Sequence, residues 1–198
     1  MSDELSDTAH RILAAATAIL VSEGYEAISM RRVAAAVGLS QAAIYRHYKD
    51  KADLVDRIVS SGYQALLARI EAAYDLGGRP SDLVKRCIAE YLGFALDNAD
   101  VFKAVLLRDA GPARKRVEGL TPGVSRTRRS FGLLAEVIER GMADHEFAVA
   151  DPELTAQAVW AAMFGLAARA VLEPEVPEAR RAALIERHSE IIVRGLRL

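Results

Sequence analysis

A single cysteine, Cys87, stands in 198 residues. That excludes an internal disulfide and a cysteine-rich zinc site, and its helical spacing with Leu83, Val84, Tyr91 and Phe94 predicts a small apolar packing side chain. Excess charge of either sign is missing too, because 26 basic residues face 27 acidic ones. A polycation is thereby excluded, and any contact with nucleic acid must come from a local patch. Long unbroken apolar runs are scarce: "AVWAAMFGLAARAV", residues 158–171, is interrupted by Arg169 and is short for a bilayer span. Met1–Ser6 has none of the basic-then-apolar design of a signal peptide. The expectation is a cytoplasmic protein. Neither strand alternation nor an internal repeat is found, which removes β and solenoid architectures. No glycine-rich phosphate loop and no metal-ligand spacing occur, so neither a cofactor nor a metal is expected.

What is present is helical periodicity. Ile12, Ala16, Ile19 and Leu20 share one helix face, and Gly24 ends that helix. Ser29 can cap a second helix on which Met30, Val33, Ala34 and Val37 repeat the pattern, and Gly38 offers the left-handed backbone that stops it. Leu39 follows as a core plug, Ser40 can cap a third helix, and Ile44 with Tyr48 supplies its buried edge. Two short helices joined by a Gly-x-Ser corner form a helix-turn-helix.

With Ile44 facing inward, a step of about 100° per residue puts Ala42 and Arg46 on the far side and Ala43 and Tyr45 on the flanks. The outward surface is small and then basic. Gln41 can pair with adenine and an alanine methyl can touch a thymine methyl, while Tyr45, His47, Lys49 and Lys51 suit phosphate oxygens. Charge agrees with this: Ile28–Lys51 carries Arg31, Arg32, Arg46, Lys49 and Lys51 against Asp50 alone, after a first stretch rich in acid. On geometry alone the alternative is a plain three-helix subdomain, with His47 and Tyr48 as ordinary packing residues.

Residues 12–58, with "EGYEAISM", "RRVAAAVGLS" and then "AAIYRHYKDKADLV", resemble the amino-terminal signature of the TetR family of bacterial transcriptional regulators. The last segment carries the family's run of Tyr, any residue, His, an aromatic, two residues and Lys. The resemblance implies phosphate contacts from Tyr45, His47 and Lys51, groove contacts from Ser40, Gln41, Ala42, Ala43 and Arg46, and a base or phosphate contact from Arg31. Ala42 and Ala43 stand where relatives often carry polar residues, which limits direct base readout.

Beyond this unit the chain reads as more helices, about nine in all. Leu54, Ile58, Gly62, Leu66 and Ile70 run at i+4 along a long helix capped by Asp50, a further helix covers Ser81–Leu96, and Asn98 can cap a shorter one through Phe102, Leu106 and Leu107. Thr121-Pro122, Asp151-Pro152 and Val176-Pro177 read as cap-then-proline starts of helices reaching about Met142, Val171 and Leu196. The expected fold is all-α: a helix-turn-helix DNA-binding domain over residues 1–52, then an effector-binding and dimerisation domain over 53–198. The resemblance implies that the last two helices pair with their copies, and the interface is expected at Trp160, Gly165, Leu184, His188, Ile191 and Ile192. The alternative is that these helices complete the monomer core. An effector pocket is expected among the aromatics Tyr63, Tyr91, Phe94 and Phe102, with Leu106, Phe131, Trp160 and Phe164, and with Arg108 or Gln157 to orient a small, largely apolar ligand. "WAAMFG" resembles the Trp-x-x-x-His-Gly motif of some relatives, with Phe164 in place of the histidine. The basic stretch from Arg108 to Arg129 reads as a solvated connection or as an entrance for an anionic effector.

The reading is therefore a homodimeric repressor on a palindromic double-stranded operator, released by an effector. Its alternative is a DNA binder without sequence preference or effector. An enzyme built on Asp144–Glu146 with His188, or on Cys87 with a histidine, matches no known ligand or nucleophile pattern.

Overall fold

Ser29 and Ser40 start their helices as side-chain caps. The Ser29 hydroxyl accepts from the Arg32 N–H at 3.2 Å and the Ser40 hydroxyl accepts from the Ala43 N–H at 3.2 Å, which satisfies donors that a helix start leaves open. The computed structural model describes residues 2–104 and 123–197, with side chains from residue 7 onward. Among these residues there are ten α-helices, one 3-10 turn and no strand.

By backbone contacts the described residues fall into two units, 2–63 with 99–104, and 64–98 with 123–197. The first holds α1 (Ser2–Glu23), the 3-10 turn Tyr25–Ala27, α2 (Met30–Val37), α3 (Gln41–Tyr45), the start of α4 (Lys51–Asp75) and α6 (Ala99–Phe102). Gly38 sits at φ 70°, and its N–H and that of Leu39 close the last turn of α2. The core of this unit joins Ile12, Ala16 and Leu20 of α1 to Val33 and Ala34 of α2, Ile44 of α3 and Leu54, Val55 and Ile58 of α4. The α1 and α4 faces follow the 3.6-residue helical repeat.

The second unit holds the rest of α4, α5 (Pro80–Asp97), α7 (Val124–Thr127), α8 (Arg129–Ala143), α9 (Pro152–Leu172) and α10 (Glu178–Gly195). Helix α5 packs on α8, α9 and α10, and α8 also packs on α9. Cys87 is buried on α5, and burial pushes its thiol up to about 11, in keeping with its reading as a packing residue. Asp151 caps α9 through the Leu154 N–H at 2.9 Å, with Pro152 in the first turn. Starting at Pro152, α9 is longer than the apolar run read from the sequence. Among the described residues it is the one helix long and apolar enough to cross a membrane, and Ala156, Val159, Trp160, Met163 and Ala167 of it are buried.

Three local readings change. A single helix reaching Met142 is instead two, because Arg128 is extended (φ −125°, ψ 110°) between α7 and α8. The Glu153 carboxylate accepts from the Gly123 N–H and from the Ser125 hydroxyl at 3.0 Å, and Gly132 lies so close to the Ser125 carbonyl that a β-carbon there would stand 2.7 Å from it. The tie to α9 holds α7 off the α8 axis. The Asn98 amide turns back and donates to the Phe94 carbonyl at 2.9 Å instead of capping the following helix. Pro177 itself occupies the cap position of α10, without a side-chain cap bond. Leu106, Leu107, Arg108 and Thr121-Pro122 lie outside the described residues.

Candidate nucleic-acid interface

Ile44 is fully buried and Tyr48 nearly so, and the Tyr48 hydroxyl donates to the Ala9 carbonyl at 3.1 Å. Burial raises the pKa of this hydroxyl above its ordinary value, so it stays a donor. The two anchors fix the roll of α3 against α1. Gln41, Ala42 and Arg46 then face outward, Ala43 is half-buried on the flank, and Tyr45 is 53% exposed. Ser40 is exposed with its oxygen engaged in the cap. His47 is half-buried and Lys49 is exposed just beyond the helix. These residues lie on α3 or within four positions of it.

The two arginines that open α2 differ. Arg32 makes a two-pronged ion pair with Glu23 at the end of α1, at 2.8 Å on one side and closer on the other. The bond from Arg32 holds the Glu23 carboxyl below its ordinary pKa. Arg31 is exposed beside it. Lys51 is only half-exposed: its ammonium lies 3.9 Å from the centre of the Tyr25 ring and 3.4 Å from the Glu26 carboxylate. The turn into α4 is closed by two bonds, Asp53 N–H to the Asp50 carboxylate at 2.8 Å and Lys49 N–H to the Asp53 carboxylate at 2.9 Å.

The sequence reading missed Tyr25, Glu26 and Arg11. The Arg11 guanidinium donates to the Val37 carbonyl at 3.1 Å and closes the end of α2. All three act across about twenty-five residues of sequence, beyond the reach of helical periodicity.

The profile described as "Bacterial regulatory proteins, tetR family" matches residues 12–58, the whole of this surface, and that described as "Tetracyclin repressor-like, C-terminal domain" matches residues 125–186. The chain belongs to the TetR family. An HTH-type transcriptional regulator of Staphylococcus aureus is 26% identical over 105 residues, 53% of this chain and 57% of that protein. The match thus spans little more than half the length of this curated relative. A TetR-family regulatory protein from Rhodococcus RHA1 superposes with a TM-score of 0.71 at 25% identity, over 95% of this chain and 96% of that one. The fatty acid degradation regulator FadR from Bacillus halodurans shares the fold with a TM-score of 0.72 at 14% identity, over 93% and 94% of the two chains.

In the second unit of this TetR-family chain, Tyr91, Phe131 and Trp160 come together. Trp160 stacks on Phe131 at 4.5 Å and meets Tyr91 edge-on at 4.8 Å. Trp160 is 7% exposed, and its indole nitrogen is buried without a hydrogen-bond partner among the described residues. Phe94 is half-buried beneath the Arg69 guanidinium, and Gln157 donates to Glu153 at 3.3 Å. Tyr63 and Phe102 belong to the first unit. Trp160, expected in both pocket and interface, is therefore an interior residue of the unit. The other interface candidates are outside: Gly165 is exposed, Leu184 is 42% and Ile191 57% exposed, Ile192 and His188 are half-buried, and Phe164 is exposed beside Gly165. A cavity of about 300 Å³ lies elsewhere in this unit, between the start of α5 and the end of α10, lined by Arg79, Ser81, Lys85, Glu190, Val193 and Arg194 among others. Glu146, one of the acids of the rival enzyme reading, accepts from the Ser81 N–H at 3.4 Å and from Arg197 at 3.2 Å, so it ties the α8–α9 turn to two helix ends.

Proposed function

We propose that this protein is a transcriptional repressor that binds a palindromic operator as a homodimer in the cytoplasm, through residues 1–52, and is released by a small, largely apolar effector bound within 53–198. The observation that carries it is the roll of α3. Ile44 and Tyr48 bind one face to the core while Gln41, Ala42, Arg46 and Tyr45 stand outward together, which is the arrangement a recognition helix needs in a major groove. Family membership supports a regulator rather than an enzyme.

The dimer reading rests on apolar groups that the monomer leaves in solvent. Phe164, Gly165 and Leu172 on α9 and Leu184 and Ile191 on α10 are exposed, an excess of apolar surface that a partner helix pair would cover. A second copy related by a two-fold axis also supplies the second half-site contact. The effector reading rests on the aromatic cluster at Trp160, and the fatty acid degradation regulator among the fold neighbours is in keeping with an apolar ligand.

Sequencing the fragments that the protein enriches from a random DNA pool tests the proposal. A two-fold symmetric motif with half-sites about one helical turn apart is expected. Equal recovery of all sequences would replace it with the nonspecific DNA binder.

A further inference from the structure

Lys51 stands out on the proposed DNA-facing surface because its charge is already occupied. The side chain leaves the first turn of α4 and ends between two groups of the 3-10 turn that links α1 to α2. Its ammonium lies 3.9 Å from the centre of the Tyr25 ring and 3.4 Å from a Glu26 carboxylate oxygen. The ring is itself a fixed platform, since Tyr25 is half-buried and packs against the core of the first unit. Glu26 is the opposite: its side chain is 93% exposed, against 25% for Lys51.

We propose that Tyr25 and Glu26 form a holder for Lys51 with two opposed effects on DNA binding: the Tyr25 ring positions the ammonium for a DNA phosphate, and the Glu26 carboxylate competes with that phosphate for it. The inference rests on the reading of Lys51 as a phosphate contact. A lysine stem has several rotatable bonds, and a cation free in solvent loses that freedom when it meets a phosphate. An ammonium seated on a ring loses less, because the quadrupole of the aromatic face attracts it before DNA arrives. A ring face also leaves the ammonium hydrogens on its far side open to an acceptor. The Glu26 carboxylate takes such an open position in the free protein, and a phosphate must displace it. Tyr25 is thus a positioning residue and Glu26 an internal competitor, both acting through Lys51.

A double-mutant cycle on the full chain with a labelled, mixed-sequence DNA duplex, titrated over salt concentration, decides it. Lys51→Met should weaken binding and lower the slope of log affinity against log salt by about 0.9 for each protomer bound, about 1.8 for the dimer, the value for one lost phosphate contact per protomer. Glu26→Gln should tighten binding by about two- to fivefold at low salt, the range that an exposed ion pair supplies, and should have no effect in the Lys51→Met background. Tyr25→Leu should weaken binding, Tyr25→Phe should restore it, and Tyr25→Leu should cost nothing further once Lys51 is Met. Equal tightening by Glu26→Gln in both backgrounds would reduce its role to the general field of one acidic residue and overturn the proposal. So would a Tyr25→Leu loss that persists without Lys51, which marks damage to the fold. Should Tyr25→Leu fail to fold, the Glu26 and Lys51 cycle decides alone. If Lys51→Met leaves affinity and salt slope unchanged, Lys51 is not a phosphate contact and the holder has no role in binding; if it weakens binding while Glu26→Gln is silent, the contact stands and the competitor does not.

Discussion

The Trp160 ring stacks on Phe131 with centroids 4.5 Å apart and planes 26° from parallel. Removing the indole leaves a large void against Phe131 and Tyr91, so Trp160→Ala should cost about 3–5 kcal/mol of stability. Trp160→Phe keeps a ring in the stack and removes a buried donor that has no partner among the described residues, and leaving such a donor unpaired costs about 1–3 kcal/mol. Its loss should therefore be much smaller than that of the alanine variant. Urea unfolding followed by circular dichroism compares the two. An apolar effector at this cluster should quench the fluorescence of this sole tryptophan, and in Trp160→Phe the quenching should vanish while release from DNA survives.

Gly38 and Gly62 should respond to alanine with opposite signs. At both positions an added β-carbon meets nothing within 4 Å, so backbone conformation alone decides. Gly38 sits at φ 70° at the end of α2, where an L residue costs about 1–2 kcal/mol. Gly62 lies inside α4, where alanine gains up to about 1 kcal/mol. Melting temperatures should fall for Gly38→Ala and rise for Gly62→Ala.

Arg31 and Arg32 should separate binding from folding. Both are exposed, and Arg32 is held by Glu23. Arg31→Ala should lower the salt slope of DNA binding by about 0.9 per protomer, about 1.8 for the dimer, and leave the melting temperature unchanged. Arg32→Ala should lower the melting temperature instead. The reverse pattern would exchange their roles.

His188 should impose a pH dependence on stability. Burial lowers its pKa below the ordinary value, so the folded state favours the neutral ring. Above about pH 6.5, the ordinary histidine value, both folded and unfolded chains carry it neutral and nothing is lost. As pH falls below that, the unfolded chain takes up a proton that the folded one resists, and stability declines until the folded ring also titrates. His188→Gln should flatten this part of a urea-midpoint against pH curve.

Gly165→Arg and Ile191→Asp should each give monomers with reduced operator affinity, because both place charge on the exposed apolar face of α9 and α10. Sedimentation at micromolar concentration checks it. A monomeric unmodified protein would remove the dimer from the proposed mechanism.

Much of the first unit was legible before the fold. Ser29, Gly38 and Ser40 act on backbone groups three or four residues away, and the stripe through Ile12, Ala16 and Leu20 follows from the helical repeat alone. The same holds for the cap and proline at Asp151 and Pro152. These are nearest-neighbour events, whose energies are set by residues adjacent in the chain.

Partner choice was not legible. The break at Arg128 depends on Glu153 reaching Gly123 and Ser125 across about thirty residues, and nothing in the local spacing of α7 announces it. Arg31 and Arg32 are identical, exposed side chains in adjacent positions, yet the place of Glu23 on α1 pairs it with Arg32. Trp160 and Phe164 stand one helical turn apart, yet one is 7% exposed and the other 37%. The sequence by itself determined where helices begin, end and turn their apolar stripes, because hydrogen bonds and capping within a helix are local. Only the tertiary structure decided which cation is already paired and which aromatic is core, because charge pairing and burial depend on groups that the chain brings together from a distance.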